Sequence, residues 1–348
     1  MRLFLIRHGE SVDNVAGLYA GSRDSELTNY GIRQARRLGD YLVKSKPKLT
    51  HIFASPLQRA FKTADVLRAA QVTTGDGAQE KAEGDKAKAI PEVTSVPELV
   101  EQDFGFYEGK PFHARQWGSN KNPGFVDVEA KESLNKRCDA FRDEHLLPLL
   151  GADTKSDELV VAVVSHGILL SHLWRSLLRR LPPKSIVVDP DVFHVHRRGR
   201  KIVLEHLGGW SNTGFLELSF ERSAPPPGFT VSSFRLEKRV DTDERQMDVP
   251  SVADIEDSNE STLKTLLGTP RDVAPDTPEP TKEARASSGL DASPTPKISL
   301  QGYKTAILAI NGREHLQNLK RNRGGSDFAR YDENQKTIEA FFKRPKTS

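Results

Sequence analysis

Short, almost wholly apolar runs alternate with stretches of helical period from Arg2 to Phe220, and this alternation limits the fold more than any other feature. The run Leu159–Val164 is nearly all Val and Ala, which suits a strand covered on both faces. Arg2–Arg7 and His51–Ala54 are shorter runs of the same kind. From Thr28, Ile32, Ala35, Leu38 and Leu42 recur at helical spacing. Ser55-Pro56 reads as an N-cap followed by proline at the first helical position, opening a helix through Leu57, Ala60, Phe61, Ala64 and Leu67. Leu134–Leu150 carries Phe141 and Leu146 on an apolar side, and the helix Ile168–Leu178 follows the Val-rich run directly. Lys201–His206 and Phe215–Phe220 read as further strands. The pattern predicts an α/β fold: a three-layer α/β/α sandwich on a mainly parallel sheet, with a long disordered insertion and tail.

Hydrophobic residues make up 36 % of the 348 positions, too few for one core through the whole chain. The expected division is a folded domain over 1–222, with 71–89 as a Gly-, Lys- and Glu-rich surface insertion. A disordered Pro-, Ser- and acid-rich segment covers 223–300, where Thr269, Thr277, Ser293 and Thr295 precede proline. Residues 321–348 are expected to form a disordered basic tail. The net charge of +3 names no partner. The single cysteine, Cys138, excludes an intramolecular disulfide, fits a reducing compartment and is expected to be packed. No apolar run approaches the length of a membrane span, and Met1-Arg2 leads straight into a strand without room for a signal peptide. A soluble, intracellular protein is expected.

In a parallel sheet, ligands bind at the carboxyl ends of the strands. Arg7-His8, Ser55 with Arg59, and Ser165-His166 all fall there. An imidazole that accepts phosphate needs an unprotonated nitrogen, cations and N–H donors for the phosphate oxygens, and an acid for the leaving oxygen. Arg7 and Arg59 offer paired donors, and helix N-termini add backbone amides. Singly, such residues are ordinarily structural; their convergence is what points to a site. His194 and His196 share one strand face without a third ligand at metal spacing, so they read as surface or core histidines.

These residues carry a resemblance. Arg7-His8-Gly9-Glu10-Ser11-Val12-Asp13-Asn14 resembles the signature of the histidine phosphatase, or phosphoglycerate-mutase-like, superfamily. Leu27–Ala35, Ala54–Ala60 with Thr63-Ala64, Leu99–Gly105 with Glu108-Gly109, and Val164–Gly167 resemble its later motifs in the same order. The resemblance implies that His8 is the nucleophile that forms a phosphohistidine. Arg7, Arg59 and His166 would complete the phosphate pocket, and Glu101 would protonate the leaving oxygen, with Glu98 and Glu108 as neighbouring alternatives. Asn14 and the backbone at Gly21 and Ser22 would line the substrate side. No metal and no cofactor are implied. The short passage from Gly105 to Phe112 resembles the phosphatase branch rather than the mutases, so a metal-independent phosphomonoester phosphatase acting on a small molecule or phosphoprotein is expected. A phosphoglycerate-type mutase and a weakly active scaffold in a nuclear complex are the alternatives.

Two segments lie beyond those motifs. Asn311-Gly312-Arg313-Glu314-His315-Leu316 resembles the close of histidine phosphatase domains, which would return 301–320 to the sheet. The competing reading is an interaction motif ending in Lys320-Arg321-Asn322-Arg323. At the end, Gln335 to Phe342 resembles the PIP box, which docks on the sliding clamp, proliferating-cell nuclear antigen. One helical turn sets Ile338, Phe341 and Phe342 on one side as an apolar plug, with Gln335 beside it. The basic run Lys343-Arg344-Pro345-Lys346 suits an acidic rim or nuclear import, so residence in nucleus and cytoplasm is expected. Direct nucleic-acid binding is disfavoured, because the tail lacks interleaved aromatics.

Overall fold

The computed structural model describes residues 1–73, 91–114, 125–151, 159–182, 184–192, 202–222, 300, 302–322 and 325–333. The expected insertion from 74 to 89, the segment 223–299, His194, His196 and the tail motif 335–342 lie outside the described residues.

The framework is a seven-stranded sheet in the order β3-β2-β4-β1-β6-β7-β5. Its strands are β1 (Arg2–Arg7), β2 (His51–Ala54), β3 (Val93–Ser95), β4 (Val160–Ser165), β5 (Ile186–Val188), β6 (Phe215–Arg222) and β7 (Tyr303–Gly312). β3, β2, β4 and β1 pair in parallel, as do β7 and β5. The sheet is mainly parallel, as expected; β6 alone runs against its two neighbours, β1 and β7. β6 and β7 are neighbours in space although 303 follows 222 by a long interval of chain. Antiparallel neighbours tolerate any connection length, and register comes from the alternating side chains.

Alternation along the strands fills two cores. Leu3, Leu5, Val161, Val163, Leu216 and Leu218 face α4 (Lys131–Phe141), α5 (Leu147–Gly151) and α6 (Gly167–Leu178). Phe4, Ile6, Ala162 and Val164 face α2 (Asn29–Ser45) and α3 (Gln58–Thr73). A short helix, α1 (Val12–Ala16), follows β1 and is closed by a capping box between Ser11 and Asn14. Thr28 caps α2 by accepting the Gly31 amide. Cys138 is buried, and burial pushes its thiol up to about 12.

Several boundaries differ from the sequence reading. α3 begins at Gln58, not at Pro56, because Asp24 takes the Gln58 amide at 2.7 Å. α3 also runs on to Thr73, so Gln71 belongs to the helix rather than to the insertion; its Oε1 accepts the Leu49 amide. Leu134–Leu150 is interrupted by a π-helical turn at Arg142–Leu146. Ile202–His206 is a turn rather than a strand, bridged only between Val203 and His206, with Lys201 outside the described residues. Its apolar alternation serves side-chain packing of Ile202 and Leu204 on the α6 core instead of a ladder. Residues 321–322 and 325–333, read as tail, pack on the domain, with Asp327 buried. Among the described residues no helix is long and apolar enough to cross a membrane.

Phe141 is fully buried and meets Phe53 edge-on at 5.6 Å. Phe141→Ala should lower the unfolding free energy by about 3–5 kcal/mol in urea denaturation; a change below about 1 kcal/mol would show that this core face is not packed as described.

Candidate active site

Because β1, β2, β3 and β4 are parallel, their carboxyl ends open onto one edge. That edge receives Arg7 and His8 after β1, Ser55 and Arg59 after β2, Glu101 after β3 and His166 after β4. The reversed β6 brings its preceding loop, Trp210 to Gly214, to the same edge. Thr213 there donates its amide to the carbonyls of Arg7 and His8 at 3.1 Å.

His8 is 3 % exposed, and its Nδ1 lies 2.6 Å from the Gly9 carbonyl. A carbonyl only accepts, so the proton sits on Nδ1 and the lone pair is on Nε2. Burial, then the Arg59 and Arg7 charges, hold the ring well below the ordinary histidine range, while the Gly9 bond opposes them in part. His166 stands with its ring centroid 5.1 Å from that of His8. Its Nδ1 accepts from Arg59 Nε at 3.2 Å, so its proton is on Nε2, which donates to Ser55 Oγ at 2.9 Å. Burial, Arg59, His8 and Arg7 likewise keep it neutral.

Two guanidinium groups are buried beside this pair. Arg59 donates to the carbonyls of Ala20, Gly21 and Arg23 as well as to His166, so it ties the loop 20–23 to the histidines. Arg7 Nη1 donates to the Trp210 carbonyl at 2.5 Å, but its buried Nε has no partner among the described residues. Burial lowers the Arg7 pKa, and Glu101 raises it in part. An orphaned cationic donor of this kind is costly to bury without an acceptor.

Glu101 is 7 % exposed and caps α6. Oε1 accepts the Leu169 and Gln102 amides, and Oε2 accepts only that of Ile168, which leaves Oε2 a lone pair. Arg137 grips the carbonyls of Glu98, Val100 and Glu101, and Glu129 pairs with Arg137 at 2.8 Å. Glu108 faces elsewhere: it accepts the amides of Gly21, Ser22, Arg23 and Phe104. The Gly21 and Ser22 amides are thus committed to Glu108, and what that loop gives the pocket is its shape. Ser22 and Glu101 share one open cleft of about 410 Å³ with Asp103 and Asp127. Asn14 Oδ1 accepts from Ser11 and from Asn212, whose amide also donates to the His8 carbonyl.

The structure therefore brings His8, His166, Arg7, Arg59 and Glu101 to one strand edge and puts Asn14 beside them in the first turn of α1. Sequence reasoning missed Asn212 and Thr213, and gave no role to Thr63 and His315, which it met only as parts of motifs. Thr63 Oγ1 holds the Gly9 amide at 3.0 Å, and His315 holds the Thr213 hydroxyl at 2.9 Å. The turn-rich run Trp210-Ser211-Asn212-Thr213-Gly214 before an apolar strand was the available signal. Among the described residues no group of three His, Cys, Asp or Glu side chains lies at metal-ligand spacing.

A neutral histidine pair flanked by buried guanidinium groups, at the carboxyl edge of an α/β sheet, defines an anion-handling α/β protein. Residues 3–190 match the Histidine phosphatase superfamily (branch 1), and the chain belongs to that superfamily. It is 33 % identical over 179 residues to "Probable phosphatase C1620.13" of Schizosaccharomyces pombe, covering 51 % of this chain and 56 % of that one. It is 30 % identical to "Phosphoglycerate mutase-like protein 4" of Arabidopsis thaliana, covering 63 % and 90 %. It is 25 % identical to "Metal-independent phosphoserine phosphatase" of the same plant, covering 64 % and 89 %.

His172 and His315 are also pushed down to about 4, chiefly by burial. Together with His8 and His166 they stay neutral in the native state, while the unfolded chain takes up protons below about pH 6.5. Stability should be fully present above that pH and fall as pH drops toward about 4. Urea midpoints measured at pH 7 and pH 5 should differ in that direction, and equal midpoints would contradict the buried neutral histidines.

Proposed function

We propose that the protein is a phosphomonoester phosphohydrolase that works through a phosphohistidine on His8. The observation that carries this reading is a neutral, buried imidazole with its lone pair on Nε2, next to the unpartnered Nε of Arg7. A phosphate dianion supplies the acceptor that Arg7 Nε lacks, and buried charge is stabilised far more by such pairing than an exposed one. Nε2 of His8 attacks phosphorus, the bond to the leaving oxygen breaks, and Glu101 delivers a proton from Oε2 to that oxygen. Water then attacks phosphorus, the P–N bond breaks, and the water's proton passes to Glu101. The Nε2–H of His166, which Ser55 Oγ accepts, turns to a phosphate oxygen. The remaining Nη1 hydrogen of Arg59 adds a donor, and Asn14 lines the substrate side with the loop at Gly21 and Ser22.

Transfer to water, rather than back to the product as in a mutase, is the step this reading assigns, following the short passage from Gly105 to Phe112 that resembles the phosphatase branch. The names of two relatives, a phosphatase and a phosphoserine phosphatase, favour the same branch. The expected outcome for His8→Ala is loss of turnover across a panel of phosphomonoesters, and of acid-labile, base-stable phosphate bound to the chain. Wild-type turnover by the folded variant would remove the nucleophile assignment. A folded but inactive wild type would move the function to a scaffold role.

The tail carries the second part of the proposal. Gln335, Ile338, Phe341 and Phe342 dock on a sliding clamp, which places the enzyme in the nucleus as well as the cytoplasm. The support is their spacing alone. Phe341→Ala with Phe342→Ala should weaken clamp binding by at least about a hundredfold in titration calorimetry, as for paired aromatic anchors. Equal affinity would sink the docking reading without touching the catalytic one.

A further inference from the structure

The family match ends at residue 190, yet the chain returns to the pocket rim after β7. Residues 319–322 and 325–331 lie across the start of α2 as a strap. The Tyr30 hydroxyl donates to the Leu319 carbonyl and Arg33 to that of Lys320. Backbone bonds join Asn29 to Ala329 and Tyr331 to Leu27 at 3.0 and 2.9 Å. Asp327, 1 % exposed, accepts from Arg33 at 2.9 Å and from the Asn322 amide at 2.5 Å.

At the centre of the strap is Arg321. Its two Nη atoms grip the two carboxylate oxygens of Glu10. Its guanidinium lies between the rings of Tyr30 and Phe328, at 4.2 and 4.5 Å from their centroids. Glu10 is 8 % exposed, and Arg321 is its ion-pair partner among the described residues. Thr28 Oγ1 also donates to its Oε1, and its amide donates to Gln34. A paired, stacked guanidinium keeps a buried carboxylate in place; without it the carboxylate gains free energy by turning to water.

Glu10 follows Gly9, whose carbonyl fixes the His8 proton on Nδ1. The backbone here has no slack: a Cβ at Gly31 would collide with the Glu10 carbonyl, and one at Gly9 with that of Gly31. The Gly9 carbonyl belongs to the peptide that joins Gly9 to Glu10, so a shift of the Glu10 backbone as its carboxylate turns to water would carry that carbonyl with it. We propose that Arg321 is a positioning residue that, through Glu10 and Gly9, holds the His8 ring in its Nε2-nucleophilic tautomer. The kinetic consequence rests on the phosphohistidine reading above; the structural one does not.

The test uses the full chain with Arg321→Gln and Arg321→Lys. In Arg321→Gln, kcat for an artificial phosphomonoester should fall about ten- to a hundredfold, with KM within about twofold, the scale set by small misplacements of a reacting group. Lysine, which keeps the charge but not the fork, should recover part of kcat. Imidazole ¹⁵N spectra, with His8 assigned through His8→Asn, should change from one Nδ1–H tautomer to a mixture. A merely structural strap would lower the melting temperature and leave kcat and tautomer alone; that result in folded Arg321→Gln overturns the proposal. Should the wild type show no turnover, the hydrolase reading fails, and the spectra still decide: a mixture supports the proposal and an unchanged tautomer overturns it.

Discussion

A single hydrogen bond, from His8 Nδ1 to the Gly9 carbonyl at 2.6 Å, sets the terms for everything around it. It removes one of the two possible tautomers and so decides which nitrogen keeps the lone pair. It is intrachain and nearly local, but it works only if the Gly9 peptide cannot rotate. Thr63 holds the Gly9 amide, Gln34 holds that of Glu10, and α2 packs backbone-to-backbone against both residues. The two neutral imidazoles then share a buried space with two guanidinium groups and one carboxylate that caps α6. Burial and the guanidinium charges act in the same direction on both rings, against protonation. Glu101, Asp24, Glu108 and Asp13 act the other way on Arg59, whose charge is balanced in part from the loops around it.

Around that pocket, loops are held by charge rather than by the sheet. Glu108 sits in the concavity formed by the amides of Gly21, Ser22 and Arg23, while Arg59 takes the carbonyls of Ala20, Gly21 and Arg23. One carboxylate and one guanidinium together satisfy both kinds of backbone group in a loop with no ladder to join. Hydrogen bonds to charged groups contribute about 1.5–3 kcal/mol each, roughly twice a neutral one, so a few suffice to order such a loop. Arg137 does the same for the loop that carries Glu101. In the strap, remote in sequence, Arg33 takes the Lys320 carbonyl, while Arg321 grips the Glu10 carboxylate between two aromatic rings.

The fold's one reversed strand makes this possible. β6 runs against its neighbours, so the loop entering it and the loop leaving β7 both reach the edge where β1 and β4 end. Thr213, Asn212 and His315 arrive by that route. An all-parallel sheet would have sent the loop entering β6 to the opposite edge.

The amino-acid sequence by itself determined the strands β1, β2, β4 and β6, the helices α2, α3 and α6, the strand ends that bear Arg7, His8 and His166, and the helix start that bears Arg59. Period and apolar content are local properties, and a histidine that follows an apolar strand is placed by that strand alone. It did not determine the direction of β6 or the exact limits of α3. The stop at Ile202–His206 was equally out of reach, since an apolar alternation is the same whether it faces a ladder or a packed helix. Short strands such as β3 and β5 carry too few residues for any period to show. The partners of the site were decided by tertiary structure. Asp24 on Gln58, Asn212 on His8 and Arg321 on Glu10 are separated along the chain by up to 311 residues. Whether a carboxylate meets a guanidinium or water depends on burial, and burial exists only once the chain is packed.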